Sequence, residues 1–344
     1  MRTAWTGGQY SLLRAACGAA VAVAAACSPG LVWLRAVTAL AAVLFAAGIA
    51  APIAALGALA GWIALADPRT ILQEPWTALV PLALGVHALA PRAPFGSVAA
   101  LGRLDPGGGW RLPRGCAWLA WTGVLALALA SAVSEGTADI AGALRIAALV
   151  GGLFPPLRPY AWLVLVGGET YASLGAPLAL PARVLALGIL FDPGWVRGTG
   201  DAVERVYYDG SCGLCHRAVR FLLAEDVDGS RFRFAPLHGE AFEAHVPPAQ
   251  RTDLPDSVVV QLGDGRLLVR SDAALHVLGR LGGIWRAIGL AGRAVPRPLR
   301  DAAYDGVARV RKRLFAAPQE ACPLLPRELR DRFEPRASSV RPGP

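Results

Sequence analysis

Residues 36–66 run AVTALAAVLFAAGIAAPIAALGALAGWIALA, 31 positions without a single charge. Crossing a bilayer takes about 20 apolar residues, so this stretch is either one long span or two short ones. Pro52 lies in its middle and lacks the N–H that a helix interior needs, which predicts a break near 51–53. Further apolar segments follow at 75–90, 115–134, 140–154, 160–176 and 178–191, the cleanest being the 20 uncharged residues between Arg114 and Glu135. The pattern predicts a polytopic α-helical membrane domain over residues 1–200 with about five to seven spans, the shorter segments being tilted, re-entrant or interfacial. Charge supports that division: residues 1–200 hold 12 Arg and 7 acids, whereas 201–344 hold 22 Lys+Arg and 18 acids. Collagen, coiled coil and simple disorder are excluded by this composition. The net charge of +9 is spread over both halves with no dense basic block before residue 309. The expected partner is therefore the lipid bilayer, and nucleic acid is not expected.

Loop charges orient the chain, because Lys and Arg accumulate on the cytoplasmic side. The loop 91–114 carries Arg92, Arg103, Arg111 and Arg114 against Asp105, and reads as cytoplasmic. The next loop holds Glu135 and Asp139, the following one Arg158, and the chain leaves the last apolar segment at Arg197. That alternation places residues 201–344 in the cytoplasm of a cell whose inner (plasma) membrane holds the first half. At the N-terminus, Arg2 and the apolar stretch 15–27 have the outline of a signal peptide, with Ala24-Ala25-Ala26-Cys27 resembling a lipoprotein cleavage site. Arg14 abutting the run, and the spans that follow at once, favour a retained first helix. Ionisable groups inside apolar segments are costly. Arg35 and Arg183 fit snorkelling from helix ends, whereas Glu169 in LVLVGGETYASL is the candidate for a polar contact inside the bundle. Cys17, Cys27 and Cys116 read as packed or lipid-facing small residues, and His87 as a residue near a span end.

From Glu204 the pattern changes to short strands, helices and turns. Val206-Tyr207-Tyr208 is a β-branched and aromatic run, Asp209-Gly210 turns the chain, and Ser211 is placed to cap a helix that starts at Cys212. Leu214, Ala218, Phe221 and Leu222 form one face of that helix, which Asp228-Gly229 ends. Arg231–Phe234 alternates as a half-buried strand. A short helix around 239–246 follows, then a central strand at 257–262, a hairpin through Gly263-Asp264-Gly265 to 266–270, and a helix from Ser271-Asp272 through Leu281. The order βαβ, α, ββα with Cys212-Gly213-Leu214-Cys215 at the first turn of the first helix is that of a thioredoxin-like domain. A thiolate at a helix start is stabilised by unpaired backbone N–H groups and the positive end of the macrodipole. Cys212 is thus the expected nucleophile. Cys215, one turn on, can attack the mixed disulfide, and His216 as a cation can stabilise the thiolate.

Tyr207-Tyr208-Asp209-Gly210-Ser211-Cys212-Gly213-Leu214-Cys215 resembles the signature of the DCC family of thiol-disulfide oxidoreductases, which takes its name from an Asp-x-x-Cys-x-x-Cys motif. Ser271-Asp272-Ala273-Ala274, Leu281-Gly282-Gly283, Arg300-Asp301-Ala302-Ala303-Tyr304, Ala308, Arg311, Leu314-Phe315 and the closing Cys322-Pro323 are similar to a second family stretch. The resemblance implies an α/β thioredoxin-like domain over 201–325 with extra C-terminal helices; residues 326–344 are expected to form a disordered tail. It implies that Cys212 and Cys215 are the redox pair and that Asp209 is the acidic residue before them, assigned here to fixing the turn or relaying a proton. Tyr208, Ser211 and His216 support the pair, and Pro255 stands where such domains carry a cis-proline facing the cysteines. In the first half, Pro94-Phe95-Gly96-Ser97, Asp105-Pro106-Gly107-Gly108-Gly109-Trp110 and Phe191-Asp192-Pro193-Gly194-Trp195 are similar to segments of multi-span modules that precede DCC domains.

Cys212–His216 also fits a c-type haem attachment pattern, but Met1 is the sole methionine and the flanking strand and helix suit a thiol site better. A zinc site from Cys212, Cys215, Cys322 and one of His216, His238 or His245 lacks a second closely spaced ligand pair. No cofactor and no metal are expected. Cys322 is either a resolving thiol or a buried small hydrophobe. Two functions remain: a membrane-anchored thiol-disulfide oxidoreductase acting on a protein or small thiol partner, and a membrane transport or binding protein whose tail is a redox sensor or docking module.

Overall fold

The computed structural model describes residues 4–66, 75–135, 140–172, 180–237, 239–252, 254–255, 257–314 and 326–334. The chain divides into two compact units, one of residues 1–101 and 110–195, the other of 102–109 and 196–344.

The first unit is helical: α1 (Gly7–Cys27), α2 (Val32–Ala47), α3 (Ala51–Leu65), α4 (Leu79–Ala88), α5 (Arg114–Glu135), α6 (Ile140–Leu153), α7 (Arg158–Ala172) and α8 (Leu180–Ala186). The uncharged run resolves into α2 and α3, and the break falls at residues 48–50 rather than 51–53. Gly48 adopts φ +74, a left-handed conformation that ends helices without a Cβ clash. Pro52 then occupies the first turn of α3, where its missing N–H costs nothing. The two helices have 16 and 15 residues, about 24 Å at most, short of the roughly 30 Å hydrocarbon core. Among the described helices only α1 and the stretch Arg114–Val133 of α5 are long and apolar enough to cross a membrane.

The buried charges Arg14 and Glu169 of this unit are met by backbone and by an arginine. Arg14, buried in α1, donates to the carbonyls of Phe45 at 2.5 Å and Ala46 at 2.8 Å, two of the carbonyls that the end of α2 leaves unpaired. Close approach of α1 and α2 depends on Gly18, where a Cβ would lie 2.7 Å from that of Ala46. Glu169 is fully buried and pairs with Arg183 at 3.2 Å, so Arg183 turns inward rather than snorkelling. His87, buried, shares a 2.9 Å hydrogen bond with the Tyr10 hydroxyl.

The second unit is built on a mixed sheet of β1 (Glu204–Tyr208), β2 (Phe232–Pro236), β3 (Val259–Gln261) and β4 (Leu267–Val269). Its order is β2–β1–β3–β4, with β1 and β2 parallel and β3 antiparallel to both β1 and β4. The helices are α9 (Gly213–Glu225), α10 (Glu240–His245), α11 (Pro248–Arg251), α12 (Arg270–Leu281), α13 (Gly283–Arg293), α14 (Arg297–Leu314) and α15 (Arg327–Arg330). Strand periodicity sorts the core into two layers. Val206, Tyr208, Phe232, Phe234 and Val260 pack with α9 and α12, while Tyr207, Ala235 and Val259 pack with Phe242 and Val246 on the other face.

Residues 326–334, read from sequence as part of an unstructured tail, instead carry α15 and bring Phe333 into a parallel bridge with Phe234 on β2. Three acids are buried beside this sheet. Glu204 meets His276 at 2.9 Å and Arg280 at 3.2 Å, and Asp226 meets Arg231 at 3.3 Å. Glu225 accepts from the Trp285 indole at 2.5 Å.

Candidate redox site

Strand β1 sits inside the sheet and delivers the chain at Tyr208 into the turn that precedes α9. Asp209 fixes that turn. Its Oδ1 accepts from the Ser211 amide at 2.8 Å and the Ser211 hydroxyl at 2.6 Å, the side-chain-to-backbone closure that makes aspartate a turn residue. Its carbonyl accepts from the Cys212 amide at 3.2 Å. Ser211 is therefore engaged by Asp209 and does not cap the helix. Cys212 occupies the cap position, with extended backbone (φ −99, ψ 116) and no side-chain cap bond, and α9 begins at Gly213. The first helical bond runs from the His216 amide to the Cys212 carbonyl at 3.1 Å.

The His216 ring closes the turn from the other side. Its Nε2 lies 2.9 Å from the Gly210 carbonyl, and since a carbonyl only accepts, Nε2 carries the proton. The ring meets Tyr208 edge-on at 5.6 Å between centroids. Tyr208 itself is buried in the core that also holds both cysteines. Pro255 lies half-buried ahead of β3 and its carbonyl accepts from the Ser257 amide at 2.7 Å. The described peptide bonds contain no cis link, so Pro255 is trans here.

Neither cysteine is in a disulfide, and Cys212 is 1% and Cys215 8% exposed. A cavity of about 340 Å³ opens against Cys215, with Tyr208, Leu214, Phe221, Val277 and Tyr304 among its walls. Cys212 does not line it. The stripe expected to be the buried face of α9, with Leu214, Ala218, Phe221 and Leu222, lines this cavity. The face pressed into the core lies one residue further on, at Cys215, Val219, Leu222 and Leu223. Two adjacent stripes of α9 are apolar, and periodicity alone does not choose between them. The Tyr304 hydroxyl accepts from the Val258 amide at 3.1 Å, which ties α14 to the sheet and closes the cavity on that side.

Among the described residues no cluster of His, Cys, Asp or Glu has the makings of a metal site. Cys322 and His238 lie outside the described residues. The neighbouring Tyr207 hydroxyl donates to Gln261 at 2.9 Å. Burial pushes its pKa up to about 12, with Glu334 adding to the rise and Arg205 opposing it. Sequence reasoning missed the cavity, whose only trace is the doubled stripe on α9, and the Glu204–His276 pair, since nothing in the local pattern of α12 points back to β1.

Paired cysteines at the first turn of a helix that follows an inner strand of a mixed sheet are an arrangement that thiol-redox domains use. The DCC1-like thiol-disulfide oxidoreductase family matches residues 206–317. The uncharacterized protein YuxK of Bacillus subtilis (strain 168) is 36% identical over 129 residues, 37% of this chain and 91% of YuxK. No solved structure matches the chain. Through its second unit the chain belongs to the DCC1-like thiol-disulfide oxidoreductase family, which points to a redox role.

Proposed function

We propose that this protein is a membrane-anchored thiol-disulfide oxidoreductase whose second unit exchanges a Cys212/Cys215 dithiol with the disulfide of a protein or small thiol partner. The observation that carries the reading is the placement of Cys212 at the cap of α9, with Cys215 one turn on. The Cys212 thiolate attacks one sulfur of the partner's disulfide, that S–S bond breaks, and the departing thiolate takes up a proton. Cys215, deprotonated, then attacks Cys212 Sγ, releasing the partner's second thiol and leaving a Cys212–Cys215 disulfide. Two electrons pass to the partner, and the reverse sequence oxidises a dithiol.

Asp209 acts by holding the turn, since its Oδ1 is taken up by Ser211, and His216 by anchoring the Gly210 carbonyl. Anchoring in a membrane, here assigned to a bacterial inner membrane, draws its support from the length and apolarity of α1 and α5. The shorter apolar helices α2, α3 and α4 and the segment Leu180–Leu190 complete a polytopic bundle as tilted or partial spans. The loop charges support a cytoplasmic redox unit.

Mixed-disulfide trapping with the full chain tests this reading. In a Cys215→Ser variant a model disulfide is expected to remain bonded to Cys212 and to be released by added reductant. Equal labelling of a double variant, Cys212→Ser with Cys215→Ser, would contradict it. Retention of the chain in carbonate-washed membranes is expected, and its quantitative release would remove the anchor.

A further inference from the structure

Where helices of the first unit begin and end, Trp5, the first turns of α5 and α7 and the corner after α8 enclose a pocket of about 440 Å³. That volume lies within the range of small-molecule sites. The corner is Phe191-Asp192-Pro193-Gly194-Trp195, a segment that the redox reading leaves without a role. Four indoles face the pocket, from Trp5, Trp118, Trp121 and Trp195. It also holds two cations, Arg114 and Arg158, and one anion, Asp192.

Arg158 and Asp192 are held in place. The Arg158 guanidinium lies 5.0 Å from the centroid of the Trp118 ring, and its Nε donates to the Gly152 carbonyl at 2.9 Å. Asp192 Oδ1 accepts from the backbone amides of Gly194 at 2.9 Å and Ala4 at 3.4 Å. Among the described residues neither arginine forms an ion pair with Asp192. Opposite charges thus share one aromatic-walled pocket without neutralising each other. That arrangement complements a ligand that carries both signs. Guanidinium groups suit a phosphate, which accepts their N–H groups in pairs, while a carboxylate and indole faces suit an ammonium. Tryptophans at helix ends are also where headgroups lie beside a spanning bundle.

We infer that this pocket binds the zwitterionic headgroup of a phospholipid, its phosphodiester on Arg114 and Arg158 and its ammonium against Asp192 and the indoles. The inference rests on reading the first unit as membrane-embedded, and it is independent of the thiol chemistry. The test uses the full chain, stripped of lipid in a maltoside detergent, offered equal phosphatidylethanolamine and phosphatidylglycerol, with retained lipid weighed by native mass spectrometry. Phosphatidylethanolamine is expected to exceed phosphatidylglycerol roughly tenfold, the scale of one charged hydrogen bond.

Asp192→Asn keeps the oxygen that accepts from Gly194 and removes the charge, so the ratio should fall to about one while total binding of phosphatidylglycerol persists. Arg114→Gln should lower retention of both lipids. No preference in the unmodified chain, or an unchanged ratio in D192N, would overturn the assignment. Free phosphoethanolamine raising the melting temperature where the lipid does not would overturn the lipid source in favour of a soluble zwitterion. Intact thiol exchange in D192N would show that the fold and the redox reading survive the loss of this site.

Discussion

Cys17 and Cys116 in the helical unit are 4% and 3% exposed, Cys212 and Cys215 in the sheet unit 1% and 8%. Depth therefore does not separate the two pairs of cysteines in this chain. Cys17 lies within α1, spending its S–H on the Leu185 carbonyl at 3.2 Å, and Cys116 falls in the first turn of α5 with no second thiol in the next turn. Cys212 and Cys215 stand together across the start of α9, each with a second cysteine within one turn. The units treat buried charge alike: Arg14 in the first and Arg280 in the second donate to backbone carbonyls, and Glu169 and Glu204 each pair with an arginine. What distinguishes the redox unit is the turn that sets two thiols at a helix start, not a more protected interior.

The largest expected effect breaks this contrast or confirms it. Replacing Cys212 or Cys215 by Ser should reduce disulfide exchange by the full chain to the rate of free thiols, while Cys17→Ser and Cys116→Ser should leave it unchanged, as followed by reduction of a chromogenic disulfide. Next comes Glu169→Ala, which leaves Arg183 unpaired at a partly buried site. A cost of about 2 kcal/mol is expected, below the range for fully buried pairs because Arg183 is one-fifth exposed. The measurement is thermal unfolding in detergent, with exchange activity at low temperature retained.

Asp209→Ala should slow exchange and cost about 1 kcal/mol, the scale of a lost hydrogen bond. Asp209→Asn, which keeps the accepting oxygen, should restore both. Failure of Asn to restore the rate would reassign Asp209 from fixing the turn to relaying a proton. The smallest effect concerns Tyr207. Its raised pKa of about 12 means that the unfolded chain loses this proton first, so stability present below pH 10 is lost as pH rises toward 12. Tyr207→Phe should flatten that alkaline loss, at a cost near neutrality of about 1 kcal/mol for the bond to Gln261. Denaturant melts between pH 8 and pH 12 would show it.

Much of the second unit is legible in the sequence because its signals are local. β1, the helix with its two cysteines, the Gly263–Gly265 hairpin and the start of α12 all follow from turn residues and period. The cap of α9 is not, because Asp209 takes the Ser211 hydroxyl and Cys212 is left to hold the cap position by backbone alone. The cavity is not, since it needs α14 to close over a stripe of α9 that pattern alone assigns to the core. In the first unit the apolar segments are visible while their limits are not. Gly48 and a tolerated Pro52 set the break in the uncharged run, and Arg14 turns inward only because the end of α2 arrives beside it. Partners distant in sequence decide the cavity and the inward turn of Arg14, whereas the α9 cap and the break at Gly48 turn on local choices that the pattern leaves open.

The central claim is that Cys212 and Cys215 form one reversible couple. Redox titration of the full chain in thiol/disulfide buffers, with free cysteines alkylated and mapped by mass, tests it directly. Cys212 and Cys215 are predicted to become protected together, with a single potential inside the span of roughly −120 to −270 mV seen for oxidoreductases, while Cys17 and Cys116 do not change. Independent titration of the two thiols, or protection of either one against a different cysteine, would contradict the account.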